Sequence, residues 1–243
     1  MSLFGTNSTA DGRELSRREE RLLERCEVKD GENVISDSLY NLVLGGTVAY
    51  GLLVNALIVW AFGGMLLSYI ASNPGIYFVI LIGYIVLGII GIIMSRKSKS
   101  ALISFIGYNL IVIPLGIILA VYVTAFPAEM VAKAALLTGF ITLFMMGIGS
   151  AFPQVFAKMG AALGITLIVT LIVEVISVFI AGYYGVLFDY IFVLIFSLYI
   201  GYDFSRSQAY AKTVDNAVDS AVDIYLDIVN LFIRILSILG KRN

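Results

Sequence analysis

Histidine is absent from the sequence. The side chain that ordinarily changes charge between about pH 5 and 8 is therefore missing, and metal sites built on imidazole are excluded. Any response to pH must come from carboxylates in an unusual setting. Cysteine is nearly absent too: Cys26 is the only one, so the chain has no internal disulfide framework. Charge is scarce, at 14% of 243 residues against 60% hydrophobic, where a soluble domain carries roughly a quarter charged residues. Residues 38–95 contain no Asp, Glu, Lys or Arg at all, a run long enough for two helices of the roughly 20 residues needed to cross a bilayer. A lipid bilayer is the expected solvent and partner. No basic patch points to nucleic acid. With no metal-ligand histidine set and no nucleophile beside a base, no enzymatic activity and no cofactor are expected.

What charge there is opens the chain. Residues 1–37 hold six Lys or Arg and nine Asp or Glu and lack an apolar core of signal-peptide length, so insertion is expected to be directed by the first membrane helix. Within this arm, Asp11 to Lys29 reads as a short helix with Leu15, Leu22 and Leu23 toward one side, a solvated tether. Apolar stretches follow at about 40–70, 76–95, 101–126, 130–150, 160–182, 186–204 and 216–240, separated by brief polar or Pro/Gly punctuation. The organisation is a charged arm over 1–37, one transmembrane domain over 38–240 and a short tail over 241–243. The fold class is an all-α integral membrane protein, a seven-transmembrane-helix bundle whose backbone groups are satisfied within each helix.

Placing the arm in the cytoplasm collects twelve Lys and Arg on the inside, among them Arg25, Arg96, Lys97, Lys158, Arg206 and Lys212, and leaves three outside, Lys133, Lys241 and Arg242. The positive-inside rule then puts the N-terminus in the cytoplasm and, with seven spans, the C-terminus outside. Short tails without targeting signals suit a bacterial plasma membrane. Glycines at 45, 46, 51, 147, 149, 160 and 164 read as places where helix backbones approach closely. Trp60, Tyr50, Tyr69 and Tyr77 read as packing or interface anchors.

Ionisable residues inside membrane helices call for a functional hypothesis, and here they gather in the last two stretches. The sixth ends Tyr202-Asp203; the seventh carries Asp215, Asp219, Asp223, Asp227, Asn230 and Arg234. That set is spaced four, four, four, three and four residues apart and stacks on one helix face. Asp215 and Asp219 at its start read as solvated and structural, as does Asp189. Asp203 and Asp227 differ, because their 24-residue separation is centred on Asp215. Equal arms of a hairpin would bring both carboxylates to one depth, roughly 18 Å from the turn. Two carboxylates brought together away from water cannot both ionise readily, and the pair tends to share a proton. The alternative is two separate aspartates at a wet boundary, and the spacing suits both. Glu174 in the fifth stretch and Arg234 in the seventh lie within roughly 6 Å in height. They read as an internal brace, or else as a charge barrier in a permeation route; the brace is preferred.

Tyr202-Asp203, then Ile224-Tyr225-Leu226-Asp227-Ile228-Val229-Asn230-Leu231-Phe232-Ile233 and the closing Leu239-Gly240 resemble the signature of the transmembrane Bax inhibitor motif family, bacterial branch. A looser likeness runs from about residue 40 to Gly240. The resemblance implies a bundle in which the C-terminal helix is central and surrounded by the other six, and a pH-sensitive calcium leak. It also implies that Asp203 and Asp227 form the paired sensor and offer oxygen ligands to calcium, with Arg96 as the arginine that helps hold the closed state. Calcium and protons are then the ions handled, calcium as transported ion; protein partners are unknown. Asp223, Asn230, Arg234 and Glu174 would belong to the pore or its polar stripe. Competing readings are a proton-coupled secondary transporter and a non-conducting membrane scaffold that uses the charged arm.

Overall fold

Runs of Ile, Leu, Val and Gly that water does not reach have only one way to satisfy each backbone N–H and C=O locally, which is to coil. A computed structural model describes residues 25–27, 33–98, 100–182 and 185–241, and each apolar stretch forms one helix. These are α1 (Asp37–Ser72), α2 (Gly75–Lys97), α3 (Ala101–Thr124), α4 (Ala128–Ala151), a short α5 (Pro153–Ala157), α6 (Gly160–Ala181), α7 (Val186–Ala209) and α8 (Val214–Lys241). The arm helix expected over Asp11 to Lys29 lies outside the described residues, apart from Arg25, Cys26 and Glu27.

Local chemistry sets the ends. Ser36 caps α1, its Oγ accepting from the Leu39 N–H at 3.3 Å. Pro153 opens α5, where its missing N–H leaves no helical bond unmade. Gly182, at φ 59°, ends α6 in the left-handed conformation that glycine tolerates.

Among the described residues six helices, α1, α2, α3, α4, α6 and α7, are long and apolar enough to cross a membrane. The expected seventh, α8, has 28 residues and a length of roughly 42 Å, but its charges set it apart from the apolar six. Burial accounts for it. α8 packs against α7, α1, α4 and α3, whereas α2 lies mainly on α3, and α6 on α7. The C-terminal helix is thus central, as expected: four helices pack along it, and α2 and α6 reach it through side chains, Ser95 and Arg96 from α2 and Glu174 from α6. Ala217, Ala221, Ile224, Tyr225, Leu231 and Leu236 of α8 are fully enclosed.

Small residues let these helices approach. A Cβ on Gly149 of α4 would strike the Gly201 carbonyl of α7, and one on Gly51 of α1 would collide with the Tyr108 phenol. Gly45, Gly46 and Gly147, expected to act likewise, face open space. The start of α8 meets the start of α3 and the end of α2 through Ser104–Asp215 and Ser95–Asp219 contacts. At its other end, Gly240 lies under Phe126 at the α3–α4 connection. α8 therefore runs the length of the bundle.

Candidate functional site

α7 and α8 share one of the three most extensive helix contacts in the fold, and both carboxylates of interest sit in that seam. α7 continues six residues past Asp203, to Ala209, whereas α8 begins 13 residues before Asp227, at Val214. The hairpin arms are thus unequal, against the equal-arm expectation, by roughly 10 Å of helix. The connecting residues 210–213 are non-helical and their contour length is enough to span that difference. The Asp203 and Asp227 carboxyl groups lie beside each other, close enough to interact directly, and both residues are buried.

Arg206, one turn beyond Asp203, bridges outward from the pair. Its Nη2 lies 3.1 Å from Asp203 Oδ1 and 2.9 Å from Asp223 Oδ2. Arg96 of α2 donates to the other Asp223 oxygen at 2.9 Å. Arg96 therefore meets the edge of the cluster through Asp223, and the guanidinium on the paired carboxyls is Arg206. The reason lies in the packing: α2 is an outer helix and its last turn reaches only the rim. Arg206 was legible as an i+3 partner of Asp203, but its count among the inside positive charges hid it.

Each acid of the α8 stripe meets a different neighbour. Asp215 accepts from Ser104 Oγ of α3 at 2.7 Å. Asp219 accepts from Ser95 Oγ of α2 and lies 3.7 Å from Arg25 Nη2. These two were expected to be solvated, but Asp219 is buried and Asp215 half-buried, because α2 and α3 close over the start of α8. Asn230 donates to the Leu226 carbonyl of its own helix at 2.8 Å and joins no inter-helix contact of the cluster. Two buried atoms within the cluster, Asp227 Oδ2 and Arg206 Nε, have no hydrogen-bond partner among the described residues.

Arg25 covers the α7–α8 connection next to this cluster. The Arg25 carbonyl accepts from the Ala211 N–H at 2.9 Å, its Nε donates to Asn216 Oδ1 at 3.2 Å, and its guanidinium lies 4.1 Å from the Tyr210 ring centre. Burial pushes the Tyr210 phenol up to about 12, so this group stays protonated where carboxylates titrate.

A second charged cluster occupies the opposite half of the bundle. Arg234 of α8 makes a two-pronged pair with Glu174 of α6, at 2.6 and 3.0 Å, and a 3.0 Å contact with Asp189 of α7. The other Asp189 oxygen accepts from Ser237 and Lys241, both at 2.8 Å. Asp189, expected to be solvated, is 0% exposed; the two cations from the last turns of α8 compensate it. Two acids and two bases fall in the same halves of three helices, and that balance was the overlooked signal.

Among the described residues no group of three or more carboxylate or thiol side chains is arranged to hold a metal ion.

The apolar helices and the charged stripe enclosed on α8 define an all-helical integral membrane protein. The chain matches, over residues 42–243, the family described as Inhibitor of apoptosis-promoting Bax1, and it belongs to that family. Comparison with curated proteins gives no match.

Proposed function

We propose that the protein is a pH-sensitive calcium leak channel that crosses a bacterial plasma membrane seven times, with α8 as the seventh span, the N-terminus cytoplasmic and the C-terminus outside. The observation that carries this reading is the buried Asp203–Asp227 pair, tied through Arg206 and Asp223 to Arg96.

Charge counting turns that geometry into a gate. With one shared proton, the pair and Asp223 carry two negative charges against the two guanidinium groups of Arg206 and Arg96. The cluster is then neutral, which suits a site with little water. Losing the proton leaves one negative charge uncompensated; gaining a second leaves one positive charge uncompensated. Either change weakens the contacts that hold α7 to α8. The open atoms Asp227 Oδ2 and Arg206 Nε give a second arrangement polar groups to pair. Parted carboxylates offer oxygen ligands to calcium, a hard cation that takes about 6–8 of them.

The test is calcium flux into liposomes across about pH 5 to 8. Wild type should pass through a minimum where the pair holds one proton. Asp203→Asn or Asp227→Asn keeps the cluster neutral across that range and should flatten the profile at low flux. An unchanged pH profile in both variants would remove the sensor. No flux at any pH in wild type would favour a non-conducting scaffold.

A further inference from the structure

We infer that the apolar cavity between α1 and α4, floored by α8, is a binding site for one hydrocarbon chain of a bilayer lipid. The inference stands on packing and does not depend on the channel reading above.

α1 and α4 both pack on α8 but not closely on each other. The gap between them leaves a cavity of about 500 Å³, within the roughly 300–1,000 Å³ of small-molecule sites. Ile228, Val229 and Phe232 of α8 form its floor, and Trp60 of α1 and Ala135 and Gly139 of α4 stand on its walls. Its depth follows from the helix ends. On α4 the lining starts at Val131 and reaches Gly139, three and eleven residues after the helix begins at Ala128, so it extends roughly 17 Å from the α3–α4 connection. That is close to one leaflet, half of a hydrocarbon core about 30 Å thick.

Ordered water needs about two to four polar partners, which this lining does not turn inward. Thr138 donates its hydroxyl to the Ala134 carbonyl at 2.7 Å. Asn55 donates its Nδ2 to the Tyr225 phenol, and its Oδ1 is buried toward Gly116 of α3, accepting no hydrogen bond among the described residues. The surroundings of the opening set the chemistry of the occupant. Leu57 and Trp60 of α1 and Leu136 and Phe140 of α4 are between 60 and 84% exposed, and both helices are of membrane-crossing length. The cavity is therefore continuous with the surface that the bilayer covers, and acyl chains reach it laterally without crossing water. Hydrocarbon gains no hydrophobic energy by moving from the bilayer into the cavity; dispersion contacts with a fixed wall hold it. A Cβ on Gly139 meets no atom within 4 Å, so the helix keeps room there that any larger side chain would take.

A chain seated there touches the helix that carries the carboxylate pair. At about 100° per residue, Ile228, Val229 and Phe232 lie roughly 100°, 200° and 140° around α8 from Asp227. The bound chain thus backs α8 from the face opposite the pair.

Trp60 is the only tryptophan of the chain and lines the cavity, so its fluorescence reads the occupant. The experiment titrates purified full-length protein, stripped of lipid in detergent, with phosphatidylcholine whose acyl chains carry bromine, a contact quencher of tryptophan. Wild type should show saturable quenching at low lipid, above a slow linear rise from random contact in the micelle, and non-brominated phosphatidylcholine should reverse it. Gly139→Leu fills the cavity and should lose the saturable component while keeping the linear one. Should Gly139→Leu not fold, Ala135→Leu fills the same wall and the same loss is expected. Purely linear quenching in wild type, or saturable quenching unchanged in the folded variants, overturns the inference. Light scattering of the same samples reads another occupant. A wild-type dimer that Gly139→Leu converts to a monomer, without saturable quenching, assigns the cavity to a second copy of the chain and overturns the inference too.

Discussion

Asp189 and Asp203 lie 14 residues apart on one helix, and both are buried, yet their settings are opposite. Asp189 has a cation on each oxygen, Arg234 on one and Lys241 on the other. Asp203 faces a second carboxyl and shares one guanidinium with Asp223. The first is a compensated charge whose loss is structural. Asp189→Asn should lower stability by about 3–5 kcal/mol, the usual range when one partner of a buried pair is removed, read as a lower unfolding temperature in detergent. The second is the protonation site of the proposed gate. Without the positive charge of Arg206 the cluster is neutral only when the pair holds two protons, so Arg206→Gln should remove the wild-type flux minimum and leave flux lowest at the acid end of the range. Arg206→Lys should not restore it, because a point charge cannot replace a planar fork that bridges two carboxylates. Liposome flux against pH checks both. Spacing alone identified Asp203 and Asp227 as candidates for a pair. Asp189 was misjudged because its cation partners come from another helix, invisible to a count along the chain, whereas Arg206, an i+3 neighbour of Asp203, was passed over as one of the inside positive charges.

At the scale of elements, the apolar spans were legible because about twenty apolar residues in a row leave few alternatives to a helix. The short α5 was not legible, since five residues carry no periodic signal. The α8 stripe was readable as one helix face, but the helices that cover each acid were not. The α4–α7 contact depends on Gly149 meeting the Gly201 backbone. Gly149→Val should therefore push the two helices apart and destabilise the bundle by about 1–3 kcal/mol, again measurable by unfolding in detergent. The contact of Arg25 with residues 210–216 ties the arm to the α7–α8 connection. Arg25→Ala should speed amide hydrogen exchange of Ala211, whose N–H bonds the Arg25 carbonyl, because loss of the side-chain contacts to Asn216 and Tyr210 frees the arm.

For the whole molecule, six apolar helices and a seventh that is long but charged put the two ends of the chain on opposite faces if α8 crosses. In a Cys26→Ser background, Asn243→Cys should react from outside intact cells with a membrane-impermeant thiol reagent, while Cys26 in the wild type should not. Labelling of both from the same side would place α8 as a non-crossing helix.

The sequence by itself determined that this is a membrane protein, where its apolar helices fall, and that its chemistry must rest on carboxylates, because composition and hydropathy act on each segment separately. Tertiary structure decided which carboxylates are paired with each other and which with cations, which arginine holds the pair, and that the charged helix lies at the centre. Those outcomes depend on which helix faces come within hydrogen-bond distance, and that is settled only when the whole bundle packs.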